Sequence, residues 1–252
     1  MEKILILYPH GLGDCILLTP ALRNLNQQLG QKCSIAILER FRSSEIFKNC
    51  PYIDKIYYTK DAWHDFDNER VGFQTLYDEM SSFALEAGYD KCVMPMHNNF
   101  RSKIMVNLES LGIKNPTNYK TEIFTTQEDK ERASEIISSI VGDEKFGFVQ
   151  TVSGHNVKSL PDNFGRKWLK ENKGLEKAIE IGKEIKPNEY SINVQFEILR
   201  KATSVCLPDS VFYHARCAME LPVDFVYFAR GISVYERVKP LHWVIQNPVF
   251  EL

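Results

Sequence analysis

Apolar residues come in short unbroken runs separated by stretches of helical spacing, and the alternation begins at once. Ile4-Leu5-Ile6-Leu7 is continuous, the pattern of a strand buried on both faces, and it predicts a strand over Lys3 to Tyr8. Gly11 to Gly13 read as a loop. Ile16, Leu17, Ala21, Leu22 and Leu25 recur near helical spacing and predict a helix from Ile16 to Gly30, with a further strand over Cys33 to Leu38. A strand, a glycine-containing turn, a helix and a strand form a βαβ unit, which calls for a parallel sheet covered on both faces. The opening third is therefore expected to be Rossmann-like.

The alternation continues with a short helix near Ser44 to Lys48, a strand at Lys55 to Tyr58 and a polar, aromatic loop over Asp61 to Arg70. A helix over Gly72 to Ala87 follows. The strand Lys91 to Met96 then leads through His97-Asn98-Asn99 into a helix from Arg101 to Leu111. The amphipathic helix Glu128 to Val141 stops at Gly142-Asp143-Glu144, which sets the expected boundary between an N-terminal domain of residues 1–143 and a C-terminal domain of residues 144–252. The second half is read as a strand at Phe146 to Val149, a long loop from Val152 to Phe164 and a strand at Ala178 to Ile181. A helix at Val194 to Ala202, a strand at Ser204 to Leu207, a helix at Tyr213 to Met219 and a strand at Val223 to Phe228 complete it. Two Rossmann-like domains facing a cleft are the expected α/β assembly.

With 252 residues, 44% hydrophobic and 25% charged, the composition is that of a globular protein able to build two modest cores. A formal net charge of -2 gives no electrostatic footprint for bulk nucleic acid. The first apolar run is too short for a signal peptide. No window nears the roughly 18 apolar residues of a membrane helix. The expectation is a cytoplasmic protein with at most peripheral membrane contact. Six cysteines lie scattered with no C-x-x-C pair, so neither a zinc site nor a disulfide framework is expected, and the thiols read as small buried hydrophobes.

The candidate chemistry begins at His10-Gly11-Leu12-Gly13-Asp14, where a strand hands over to a helix. Amides there can face an anion, and glycines can take unusual backbone angles. The string is not a dinucleotide fingerprint, which would need glycine at Ile16, nor a P-loop, since no G-K-S/T follows. From the residues alone two readings stay open: a phosphate or substrate cradle, and a tight turn whose Asp14 caps the next helix.

The longer string resembles a family. Gly11-Leu12-Gly13-Asp14 followed by Thr19-Pro20-Ala21-Leu22-Arg23-Asn24-Leu25 looks like the G-x-G-D-x-x-x-x-T-P-A-L-R-x-L signature of the ADP-heptose:lipopolysaccharide heptosyltransferases of glycosyltransferase family 9. Asn49-Cys50-Pro51-Tyr52-Ile53-Asp54, Tyr89-Asp90 and Arg101-Ser102 resemble further family elements in the same order. In the second half, Gly165-Arg166-Lys167-Trp168 resembles K-x-W-P, with Arg166 where the family has lysine and Leu169 where it has proline. Pro208-Asp209-Ser210-Val211-Phe212-Tyr213-His214-Ala215 is similar to D-S/T-G-x-x-H-x-A, with Val211 in place of glycine.

The resemblance implies a GT-B fold with a trimmed second domain and an inverting, metal-independent transfer of a heptose-like sugar from a nucleotide-diphospho-sugar, ADP-linked, to a glycan or other hydroxyl acceptor. Lipopolysaccharide core is the family's default acceptor, and no cofactor is implied. Asp14 would be the general base, kept ionised by the helix N-terminus. His10, Gly11, Gly13 and Arg101 would face the acceptor. Arg166, Lys167, Glu184, Asp209, Ser210 and His214 would hold the donor, with Lys158 as an alternate cation. A non-catalytic nucleotide-sugar sensor of the same fold is the second reading, and a nicotinamide-dependent oxidoreductase, lacking its third glycine, is the weakest.

Overall fold

The computed structural model describes residues 2–30, 32–38, 42–59, 69–96, 102–152 and 159–227, the side chains of 69–71 and 73 excepted. The chain divides into two compact units, Met1–Thr121 and Glu122–Leu252. In the first, β1 (Ile4–Tyr8), α1 (Leu12–Leu29), β2 (Cys33–Leu38), α2 (Ser43–Phe47), β3 (Ile53–Thr59), α3 (Glu69–Glu86), β4 (Lys91–Val93) and α4 (Lys103–Ser110) follow in order. Its four strands are ordered β3-β2-β1-β4 and all pair in parallel, with Ile6 opposite both Ile35 and Val93. Every residue of β1 and β2 is buried, as their continuous apolar runs require.

The helix after β1 begins earlier than its apolar spacing suggests. Gly11, extended at φ -67°, is the N-cap of α1, so Leu12, Gly13 and Asp14 are its first three residues. Asp14 therefore sits inside the first turn rather than at the cap, which corrects the reading of it as the helix cap, and Gly11 has an ordinary φ. From Cys15 to Leu25 every residue of α1 is buried, Pro20 included. Proline supplies no N–H to the carbonyl four residues back, and the Thr19 hydroxyl takes that role by donating to Ile16 O at 2.8 Å. The Thr-Pro pair is a local repair of the helix ladder.

The second unit contains α5 (Gln127–Val141), β5 (Phe146–Gln150), α6 (Phe164–Lys173), β6 (Lys177–Ile181), α7 (Ile192–Lys201), β7 (Ser204–Pro208), α8 (Val211–Ala218) and β8 (Phe225–Tyr227). Its parallel sheet runs β6-β5-β7-β8. The unit boundary falls after Thr121, ahead of the 143/144 division expected from the glycine stop. A reciprocal capping box between Thr126 and Asp129 opens α5, whose buried Ala133, Ile136, Ile137 and Val141 form the stripe that packs on α7 and β6. Gly142-Asp143-Glu144 therefore ends a helix inside a unit.

Helix α6 occupies a stretch in which no element was expected. Only Gly165 and Leu169 of it are fully buried, too thin a stripe to register as periodicity. Phe164 and Trp168, with ring centroids 5.1 and 5.4 Å from Phe225, complete its contact with the sheet. The close approach is made by glycine, because a Cβ on Gly165 would stand 2.5 Å from Val149 Cγ1.

Buried Arg216 staples the end of α7, donating to the carbonyls of Leu199 at 2.6 Å and Ala202 at 3.3 Å, and to Pro222 O at 3.0 Å. Leu199 and the C-cap Ala202 lie at the end of α7, where carbonyls run short of intrahelical partners. Among the described residues, no helix is long and apolar enough to cross a membrane.

Gly165→Ala is expected to lower unfolding stability by about 1–3 kcal/mol, since the stiff Val149 side chain cannot yield. Gly147→Ala should cost less, because its clash at 2.4 Å is with the flexible end of Leu169. Urea unfolding of both variants checks the ranking, and an equal or inverted order contradicts it.

Candidate functional site

In an open parallel sheet, a crevice forms outside the carboxyl ends of the strands where the strand order reverses. In the first unit that place lies between β1 and β4. His10, just past β1, packs edge-on against Tyr8 with ring centroids 4.6 Å apart. Its Nε2 lies 3.1 Å from the carbonyl oxygen of Pro95, just past β4. A carbonyl only accepts, so Nε2 carries the proton of this bond. His10 thus ties together the two strand ends that flank the crevice. A Cβ added to Gly11 would meet nothing within 4 Å.

Asp14 projects from the first turn of α1, and its Oδ1 accepts a bond of 2.6 Å from Lys103 Nζ. The two side chains are 20% and 19% exposed, so solvent screens the pair less than it would a surface pair. The backbone beneath is fixed as well. Buried Tyr8 donates its hydroxyl to Asp14 O at 3.0 Å, and Asn107 Nδ2 reaches Tyr8 Oη at 3.3 Å and Leu17 O at 3.1 Å. Lys103 and Asn107 stand four residues apart on α4 and share one face. Lys103 was not singled out from the sequence, although a cation in a helix's first turn runs against the helix dipole and is a legible signal. Arg101 lies outside the described residues.

Much of the remaining string is scaffold. Arg23 donates to Lys120 O at 2.7 Å, and Asn24 donates to Asn118 O at 2.8 Å while accepting from Thr117 N at 2.7 Å. These bonds fasten the segment that leaves the first unit onto α1.

In the second unit, the polar side chains gather beyond β5 and β6. Buried Glu180 accepts from Thr151 Oγ1 at 2.5 Å, from Arg166 Nε at 2.8 Å and from Lys183 Nζ at 3.1 Å. A second guanidinium nitrogen of Arg166, Nη2, bonds exposed Glu184, which also accepts from Glu180 N at 3.0 Å. Arg166 and Glu184 are thus direct partners, and Glu180, Thr151 and Lys183 complete a cluster that sequence reading missed. An acidic residue inside an otherwise apolar strand, Ala178-Ile179-Glu180-Ile181, is the signal that could have found Glu180. Lys167 stands outside the cluster, exposed, with Nζ 3.9 Å from Glu171, and Lys158 lies outside the described residues.

The strand order reverses between β5 and β7. There Ser210, the N-cap of α8, bonds Gln150 at the end of β5. Asp209 and His214 are buried beside it, with His214 Nε2 3.9 Å from Asp209 Oδ1, longer than a hydrogen bond. Val211 is the first residue of α8 and has no positive φ, so the backbone does not demand glycine at that position. Four thiols, Cys15, Cys33, Cys206 and Cys217, are pushed up to about 12 by burial, which removes them as nucleophiles. Among the described residues, no group of three or more metal-ligating side chains comes together.

No protein-family model and no curated protein matches the sequence. Solved structures do match the fold. The glycosyl transferase family 9 protein of Veillonella parvula is 15% identical, with a TM-score of 0.70 over 100% of this chain and 86% of its own. The ADP-heptose LPS heptosyltransferase II of E. coli is 9% identical, with a TM-score of 0.65 over 100% of this chain and 91% of its own. The chain has the heptosyltransferase fold. A third structure, the E. coli heptosyltransferase WaaC with ADP, has a TM-score of 0.60 at 12% identity, over 98% of this chain and 92% of its own.

The second-unit cluster gives this heptosyltransferase fold a buried charge with a definite pH signature. Burial alone would push the Glu180 carboxyl up, but the bonds from Thr151, Arg166 and Lys183 outweigh it and hold the group below its ordinary 4.5. A carboxyl held low in the folded state adds stability above its unfolded pKa and loses it as pH falls through the folded value. Glu180→Gln should therefore destabilise the protein by about 1–3 kcal/mol at neutral pH. The gap between variant and wild type should shrink once the pH drops below the ordinary carboxylate range. Thermal melts from pH 7 to pH 3 read this directly, and a gap that stays constant or widens contradicts it.

Proposed function

We propose that this chain is an inverting, metal-independent glycosyltransferase. It moves a heptose-like sugar from a nucleotide-diphospho-sugar, ADP-linked, to a glycan or other hydroxyl acceptor such as lipopolysaccharide core, and it acts in the cytoplasm. The observation that carries the reading is the Asp14 carboxylate in the first turn of α1, at the strand-order reversal of its sheet and held by Lys103 at 2.6 Å. Support comes also from the fold, since solved structures of similar fold include a heptosyltransferase with ADP and one with ADP-2-deoxy-2-fluoro heptose.

A sugar hydroxyl is a poor nucleophile at neutral pH, and a positioned carboxylate removes its proton as the bond forms. In the step we assign, Asp14 takes that proton while the acceptor oxygen bonds the anomeric carbon from the face opposite the leaving group. The bond between that carbon and the phosphate oxygen breaks, and the nucleoside diphosphate departs with the electron pair. His10, Gly11, Gly13 and Arg101 are the residues assigned to the acceptor.

The leaving group needs cations and amides around it. Arg166 spends Nε and Nη2 on Glu180 and Glu184, and a guanidinium has five N–H donors, so Nη1 remains to meet a phosphate oxygen. Lys167, Glu184, Asp209, Ser210 and His214 complete the assigned donor set. The same carboxylates favour a second reading, a nucleotide-sugar-binding protein without turnover, because they compensate Arg166 before any diphosphate arrives.

Asp14→Asn separates the two. Under the enzyme reading it binds ADP-heptose as wild type does and loses turnover by about a hundredfold or more. Isothermal titration and product analysis by mass spectrometry measure both quantities. Turnover equal to wild type removes Asp14 from the reaction, and binding without turnover in both proteins favours the non-catalytic reading.

A further inference from the structure

Lysine is a poor choice for the first residue of α4. The amino end of a helix carries partial positive charge, and a cation there is disfavoured. No acidic residue in the first turn of α4 offsets it. The ammonium instead reaches across to Asp14, 89 residues away in sequence, with four-fifths of both side chains covered. The helix that carries it is fixed in place, because Asn107, one turn further along α4, is buried and bonded to Tyr8 and to the backbone of α1. A residue that breaks a local rule and is supported by buried neighbours is the pattern expected where function outweighs helix stability.

We infer that Lys103 is the positioning residue for the base Asp14. The inference rests on the reading of Asp14 as the base. Lys103 holds Oδ1, fixes the rotation of the carboxylate on the first turn of α1, and compensates its charge in a half-buried site. Arg101, two residues earlier, is where the family resemblance put the cation of this helix start. The contact with the base that the structure shows is made by Lys103, while Arg101 lies outside the described residues. The role is indirect: Lys103 acts on the reaction through Asp14 and not on the donor.

The test is a double-mutant cycle on the full chain, with ADP release from ADP-heptose as the readout. Lys103→Met should lower kcat by roughly tenfold or more with the donor KM within about twofold of wild type, and Lys103→Arg should recover most of the loss. In the Asp14→Asn background, Lys103→Met should remove no more than about twofold further, because its route of action is already gone. A full independent loss in that background overturns the inference. So does an unchanged kcat with only a lowered melting temperature, which would make the pair a structural staple. Should Lys103→Met not fold, Lys103→Gln keeps most of the stem and a donor without the charge, and carries the same comparison. Failure of the underlying reading looks different, since Asp14→Asn would then turn over like wild type whatever stands at residue 103.

Discussion

Parallel strands cannot be joined by a tight turn, so each must be followed by a crossover over one face of the sheet. Where crossovers leave toward opposite faces, two loops diverge and the carboxyl ends of neighbouring strands stay open. The polar chemistry of this chain follows from that constraint. In the first unit His10 and Pro95 join across the ends of β1 and β4, and Asp14 meets Lys103 beside them. In the second, Gln150 and Ser210 join across β5 and β7, while Thr151 and Glu180 at the ends of β5 and β6 collect Arg166 and Lys183. The apolar strands beneath are buried on both faces and serve as the rigid platform.

The two clusters manage charge differently. In the first, Asp14 and Lys103 form an ion pair with four-fifths of both side chains covered, so solvent screens it less than a surface pair. The second sets Glu180 and Glu184 against Arg166 and Lys183, so an anion reaching Arg166 shares that guanidinium with carboxylates already in place. Under the proposed donor role, diphosphate recognition there would be an exchange of partners rather than the filling of a bare positive pocket, with Glu184, the more exposed carboxylate, placed to yield.

Both sheets were legible in the sequence because continuous apolar runs leave few alternatives to buried parallel strands, as Ile4 to Leu7 and Phe146 to Val149 illustrate. What escaped did so for physical reasons. Helix α6 makes its contact through Gly165, which adds nothing to an apolar pattern. Helix α5 looked like the end of the first domain because a glycine stop marks the end of a helix and says nothing about the sheet it packs on. In the string around Asp14, Thr19, Arg23 and Asn24 repair and fasten the scaffold, while Asp14 pairs with Lys103. Lys103 and Glu180 are long-range partners, and no local spacing relates residue 14 to residue 103 or residue 166 to residue 180.

The central claim is that these clusters belong to a sugar-transferring enzyme. The most direct test is incubation of the full chain with a panel of ADP-, GDP- and UDP-linked sugars, the nucleotide products being separated and identified by mass spectrometry. The account predicts that ADP-heptose is consumed, with ADP released and the sugar recovered on a hydroxyl acceptor or water with inverted anomeric configuration. Recovery of every donor intact at concentrations that saturate binding would contradict it.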